Sequence, residues 1–313
     1  MTKTNGPEAI KTRKRAALLI VGLVTALTAG VWEKSLAGEP PPAPAQPQAK
    51  PVAPIVVKGG ALFICGGGQL PVDVRLRFIE LAGGAANAKI VVIPTAHVLA
   101  DSTNADAIYL KPWRDQGVKT ISMLHTRSRA TADDPTFANP LKEATAVWIS
   151  GGRQTTLTDL YGGTEVERQL KAVVERGGVV GGTSAGAAVM TRVMIQSGRT
   201  EAREGQGFDL LAGAVVDQHF MKRNRMDRMV GVLKKHPDLL GFGIDESTAL
   251  LVRGNLLTVL GDSCVVACLP VHGEDTPQVK FLRNGDEADL ASLRGPAPKI
   301  VSAFRAEALM SNK

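Results

Sequence analysis

The chain has 313 residues, 44% hydrophobic and 21% charged, the balance of a soluble globular protein with one large domain. Its formal net charge of +7 falls to +3 once residues 1–37, which carry a net +4, are set aside. Aromatics make up only 4% and no basic stripe interleaves with them, so a nucleic-acid-binding surface is excluded and the core must be aliphatic.

Residues 11–15 read Lys-Thr-Arg-Lys-Arg and precede an uncharged apolar stretch, 16–32. A basic flank before a hydrophobic segment describes a secretory signal, and Ser35-Leu36-Ala37 resembles a small-x-small cleavage site. Residues 1–37 are therefore expected to be a cleaved signal peptide. Left uncleaved, they would be a signal anchor at the short limit for a membrane span. In either case the positive flank stays inside and the rest is exported, to the periplasm or outside the cell. The proline-rich residues 38–55 follow as an extended linker, and 56–313 form the folded domain.

In the folded part, short β-branched runs alternate with longer amphipathic ones. Strands are expected at 61–65, 89–93, 120–124, 146–150 and 179–180. Helices are expected at 72–81, 105–116, 155–160, 165–175 and 185–191. Glycine runs close several strands: Gly66-Gly67-Gly68, Gly151-Gly152 and Gly181-Gly182. This is the pattern of an α/β fold: three layers, a mostly parallel sheet with helices on both faces. Ligands of such sheets bind beyond the strand C-terminal ends, so the glycine turns fall on the functional edge. After Asp217 strands dominate. The runs 242–245, 248–252, 256–260 and 264–268 are expected to extend the sheet as C-terminal antiparallel strands. Residues 201–204 are expected in a loop near the mouth of the site. The stretch from Leu269 carries no assignable motif.

The three cysteines, Cys65, Cys264 and Cys268, sit in apolar runs. Cys264 and Cys268 would share a strand face about 13 Å apart, too far to bond. Buried thiols are preferred, with a bridge from Cys65 to either of the others as the alternative. No histidine pair at ligand spacing accompanies them, so no metal is called for, and the chemistry needs no organic cofactor.

Gly182-Thr183-Ser184-Ala185-Gly186 fits G-x-S-x-G, a sharp strand-to-helix turn that exposes a serine hydroxyl beside the amides of a helix start. Such a serine needs a base. The candidates are His97, His125, His219, His236 and His272. His219 ends an apolar run that should reach the same edge. His272, with Asp245 or Glu246 as its acid, would fit the alternative serine–acid–histidine order, and spacing alone does not choose.

Several segments are specific in combination. They are Gly-Gly-x-Gln at 151–154, Gly-Thr-Ser-Ala-Gly-Ala at 182–187, Asp-Gln-His-Phe at 217–220, Arg223-x-Arg225-x-x-Arg228, and Gly243-Ile244-Asp245-Glu246. In this order they resemble the cyanophycinases and, more widely, the peptidase E-like serine peptidases with a class I glutamine amidotransferase-like fold. The likeness runs from about residue 60 to 261. It implies a serine hydrolase in which Ser184 is nucleophile, His219 base and Glu246 the acid that orients it, the logic of a serine–histidine–acid triad. It implies Gly152 and Ala185 as oxyanion donors and a pocket shaped by Gln154, Asp217, Gln218, Arg223, Arg225 and Arg228. The implied substrate is cyanophycin, a polyaspartate carrying arginine on its side chains, or a related aspartyl peptide. Guanidinium groups would hold its carboxylates and Asp217 its arginines. From composition alone, Arg225 and Arg228 read instead as a solvated helix face. One departure is Arg153, where the family has asparagine.

The family also implies a homodimer. The other readings are an α-aspartyl dipeptidase of the peptidase E type and a non-catalytic binding protein on the same fold. A glutaminase would carry cysteine where this chain has Ser184.

Overall fold

The computed structural model describes residues 55–269, 277–294 and 300–301. The basic and apolar stretch 11–32, the triplet 35–37, the proline run 39–54 and His272 lie outside the described residues.

Strands β1 (Val57–Cys65), β2 (Lys89–Ile93), β3 (Thr120–Met123), β4 (Ala146–Ile149) and β5 (Val179–Thr183) form the parallel half of a sheet, in the order β1-β5-β4-β2-β3. Side chains alternate faces along each strand, as a pleated backbone requires. Leu62, Ile64, Val147 and Ile149 enter one core with the helices Gln154–Tyr161 and Glu165–Glu175. Phe63, Cys65, Ala146 and Trp148 enter the other, beneath the helix Val72–Leu81. There Phe78 sits 5.4 Å from Trp113 and 5.1 Å from Trp148, ring centre to ring centre. Each such buried aromatic contributes about 1.5–3 kcal/mol by area alone.

A hairpin, β6 (Val193–Ser197) with β7 (Arg203–Gln206), follows, then β8 (Ala214–Gln218) and β9 (Leu240–Ile244). Next come β10 (Thr248–Gly254), β11 (Leu256–Gly261), β12 (Cys264–Leu269), β13 (Gln278–Arg283), β14 (Glu287–Asp289) and β15 (Ile300–Val301). Antiparallel β10, β11, β14 and β15 continue the main sheet beyond β1, as expected of 248–252 and 256–260.

The strands β9 and β12 do not extend that sheet. They form a second, four-stranded sheet in the order β13-β12-β9-β8. One face of it, with Val216, Phe242 and Val265, joins the core of the main sheet. The other, with Val215, Val266 and Cys268, lies under the helix Met226–Lys235. Every residue of β9 is buried, and two-sided burial leaves no alternation to say which sheet a strand joins.

Three smaller expectations are corrected. The helix expected at 105–116 is two, Ala105–Tyr109 and Lys111–Arg114, because Pro112 has no N–H to carry the ladder across the joint. The helix after Ser184 stops at Ala188. Residues Arg203 and Glu204 belong to β7 rather than a loop, and Glu204 is paired with His236 at 2.7 Å. The three cysteines are free. Burial pushes the Cys65 thiol far up and that of Cys268 up to about 12, so both are inert.

Candidate active site

The C-terminal ends of β1, β4 and β5 meet at Ser184. This residue holds φ 52 and ψ −110, a strained conformation for a side-chain-bearing residue that costs about 1–3 kcal/mol. Its N–H donates to the Cys65 carbonyl of β1 at 3.1 Å, and its carbonyl accepts from Ala187 and Ala188 at 3.0 and 2.9 Å. The turn thus lifts a partly exposed hydroxyl above the sheet edge.

The second sheet brings the histidine. Strand β8 ends at Gln218, and His219 turns off it at φ 51, its N–H donating to the Gly66 carbonyl at 2.7 Å. Glu246 lies in the turn from β9 to β10, where the Ser247 N–H donates to the Gly67 carbonyl at 2.9 Å. Gly67 itself has φ +108, and a Cβ there would stand 2.2 Å from the His219 ring. The turn after β1 therefore fixes both side chains, and no larger residue fits at 67.

The three side chains form one relay. Ser184 Oγ is 2.8 Å from His219 Nε2, and His219 Nδ1 is 2.7 Å from Glu246 Oε1. A carboxylate only accepts, so Nδ1 carries the proton and the neutral ring accepts from the serine at Nε2. Burial pushes the His219 pKa below the ordinary histidine value. The Glu246 hydrogen bond opposes that shift, and the charges of Arg223 and Arg225 reinforce it. The ring is thus a neutral base near pH 7.

The other described histidines are occupied elsewhere. His97 Nδ1 accepts from the Tyr109 hydroxyl at 2.8 Å, and His125 Nε2 donates to Asp101 at 2.8 Å. Asp245, the alternative acid, accepts from the Lys222 N–H and the Ser263 hydroxyl, each at 2.9 Å.

Residues 62–260 match peptidase family S51. The chain belongs to that family. It is a peptidase, and hence a hydrolase. It is 33% identical over 217 residues to the cyanophycinase of Geminocystis herdmanii, a match covering 66% of this chain and 79% of that protein. With the cyanophycinase of Synechococcus elongatus it shares 35% identity over 223 residues, 67% of this chain and 68% of the relative. Among solved structures, the crystal structure of a peptidase from an acI-B1 Actinobacterium aligns at a TM-score of 0.55 and 27% identity. That alignment covers 75% of this chain and 97% of the other.

Within this S51 fold the residues expected to shape a pocket separate into two groups. Asp217 has 0% exposure, and Arg225 and Arg228 both bind its carboxylate, Arg225 at 3.1 Å and the Arg228 Nε at 2.5 Å. Arg228, 2% exposed, also donates to the Gly198 carbonyl. Asp217 therefore has no oxygen open to a substrate arginine, and Arg228 no fork for a substrate carboxylate. These residues tie the His219 strand to the loop after β6. Nor are they a solvated face: sequence position could not reveal that the acid and the arginines are each other's partners. Arg225 stands at the N-terminal boundary of its helix and also donates to the Gln218 carbonyl. Gln154 spends both amide hydrogens on the carbonyls of Ile195 and Gln196, at 2.9 and 2.7 Å, which leaves only its side-chain carbonyl for a ligand.

Arg223, Arg153 and Gly152 are exposed at the site, while Ala185 is fully buried. Gln218 is 4% exposed and its side-chain oxygen has no protein partner. In the sequence Gly66-Gly67-Gly68 reads as a strand-end turn on the functional edge, with no partner assigned to it. Its seating of His219 and Glu246 was signalled by the run of glycines, whose purpose requires the contact to be seen.

Proposed function

We propose that this S51 peptidase is a serine exopeptidase that hydrolyses cyanophycin or a related aspartyl peptide, releasing β-Asp-Arg. The observation that carries the reading is the Ser184–His219–Glu246 relay, with hydrogen-bond distances of 2.8 and 2.7 Å. Ser184 Oγ attacks the scissile carbonyl while His219 Nε2 takes its proton and then delivers it to the leaving amine. Glu246 holds the ring in the productive tautomer and stabilises the imidazolium. The Gly152 N–H, on its exposed turn, and the Ala185 N–H receive the oxyanion. Water activated by the same imidazole then frees the acyl group.

The substrate class rests on the likeness to cyanophycinases. Arg223 supports it physically: it is an exposed cation whose field reaches His219, placed to attract a substrate carboxylate. The test is product analysis by mass spectrometry of cyanophycin incubated with the full chain, with α-aspartyl dipeptides as controls. β-Asp-Arg released by the wild type and not by Ser184→Ala is expected. Equal release by the mutant ends the reading, and cleavage of the α-aspartyl dipeptides alone moves the substrate to the peptidase E type. The same reading places the enzyme outside the cytoplasm, as residues 11–37 suggest, and as a homodimer. Fractionation of expressing cells and sedimentation of the purified chain test these two points.

A further inference from the structure

Gly152, the exposed oxyanion donor of the proposed mechanism, is not held by its own loop alone. It has φ +141, and a Cβ there would stand 2.1 Å from the Ala96 carbonyl oxygen and 2.7 Å from the His97 nitrogen. The Arg153 N–H donates to that same Ala96 carbonyl at 2.9 Å. The segment 94–97, which leaves the end of β2, is thus the surface on which the Gly152 turn rests. Gly151, on the other side, would place a Cβ 3.3 Å from that of Ser184. A shift of 94–97 would pass directly into the distance between the donor and the nucleophile.

This segment is braced by side chains with no part in the Ser184 relay. Arg127, four residues beyond the end of β3, donates through Nη1 to the Thr95 carbonyl at 2.6 Å and through Nη2 to the His97 carbonyl at 3.2 Å. The same guanidinium grips Asp101 Oδ2 through Nε at 2.9 Å and Nη2 at 2.7 Å. The other oxygen of Asp101 accepts from His125 Nε2 at 2.8 Å, and His125 Nδ1 is hydrogen-bonded to the Thr95 hydroxyl, also at 2.8 Å. The Thr95 and Tyr161 hydroxyls are in turn hydrogen-bonded to each other at 2.5 Å. Two backbone carbonyls on either side of Ala96, and the Thr95 side chain, are therefore tied to one guanidinium, one imidazole and one carboxylate. The pairing with Arg127, and then with His125, lowers the Asp101 pKa to about 2, so the carboxylate stays charged across the working range.

We propose that Arg127, with Asp101 and His125, is a positioning element that sets the Gly152 amide at oxyanion distance from Ser184 by immobilising residues 95–97. This rests on the Ser184 and Gly152 roles proposed above. Its signature is kinetic: a displaced oxyanion donor lowers kcat and the rate of acylation while ground-state binding is kept. Removing one such donor costs about 10²–10³ in kcat, so loosening its support should cost about 10–100-fold.

The experiment uses the full chain with Arg127→Ala, Asp101→Asn and Arg127→Lys. It measures kcat and KM on cyanophycin, the second-order rate of fluorophosphonate labelling at Ser184, and Tm. The side chains of Arg127 and Asp101 are 40% and 55% exposed, so their replacement leaves the core closed. Parallel losses of about 10–100-fold in kcat and labelling are expected for Arg127→Ala, with KM within about threefold. A smaller loss of the same kind is expected for Asp101→Asn, and partial recovery for Arg127→Lys. A folded Arg127→Ala or Asp101→Asn variant with both rates within about twofold of wild type overturns the proposal, as does a rise in KM alone. Failure of all the variants to fold overturns it too, by making the brace part of the core. The underlying reading fails separately: wild-type protein that is not labelled at Ser184, or an active Ser184→Ala, would sink the nucleophile without reference to Arg127.

Discussion

The protein contains the same three functional groups twice. Ser184, His219 and Glu246 make a hydroxyl–imidazole–carboxylate relay at 2.8 and 2.7 Å, and Thr95, His125 and Asp101 make another at 2.8 and 2.8 Å. Hydrogen-bond lengths do not separate them. The backbone and the surroundings of the hydroxyl do. Ser184 stands on a positive-φ turn, is partly exposed, and has glycine amides beside it. Thr95 has 0% exposure, and its oxygen is already bonded to Tyr161, so no carbonyl carbon can approach it. In the first relay the hydroxyl and the acid are both half-buried, on either side of a more deeply covered imidazole. In the second the hydroxyl is inside and the acid faces solvent. Under the proposed mechanism the first arrangement reacts, and under the further inference the second holds a loop still.

The largest expected effect is the sharpest test of that difference. Ser184→Ala should lower peptide hydrolysis by at least about 10³-fold, whereas Thr95→Val should leave kcat within about 100-fold of wild type. Steady-state assays of both variants check it, and equal losses would erase the distinction. Next, Glu246→Gln replaces a carboxylate that only accepts with an amide whose NH2 can donate to Nδ1 and hold the wrong His219 tautomer, and it should cost about 10²–10⁴ in kcat, with KM little changed. The matching change in the second relay, Asp101→Asn, should cost far less.

Smaller in catalytic terms, Asp217→Ala should destabilise the fold by about 3–5 kcal/mol, because it leaves the buried Arg228 without its carboxylate. Denaturant melts measure it. A stable variant that had lost only substrate affinity would return Asp217 to the pocket. The smallest effect is a pH shift. In the proposed mechanism His219 works as the neutral ring, and burial with the neighbouring arginines holds its pKa below the ordinary value. The acid limb of kcat/KM should therefore lie below the usual histidine range, and Arg223→Ala should move it toward higher pH. A limb that moves down, or stays, would show that Arg223 does not act on the relay.

Local patterns carried much of this. The helix Val72–Leu81 and the strand Lys89–Ile93 follow from apolar spacing, and the glycines at strand ends pointed to a parallel sheet and to its functional edge. Gly182 to Gly186 pointed to Ser184 as the candidate nucleophile because a strand-to-helix turn is a property of adjacent residues. The resemblance put His219 and Glu246 beside it. Less legible were β9 and β12, whose burial on both faces removed the alternation that would have assigned them to a second sheet. From spacing alone the choice among five histidines was also hidden, since separation along the chain does not say which imidazole is brought within reach of Ser184.

Sequence alone determined which residues could do chemistry and the order of most strands and helices in the parallel half, because these depend on residues a few positions apart. Only tertiary structure decided which polar groups meet which. Asp217 and Arg228 satisfy one another rather than a ligand, Gly67 makes room for the His219 ring, and Arg127 reaches across to the Thr95–His97 backbone. A charge acquires its meaning from its partner, and these partners come from separate strands whose pairing no local pattern encodes.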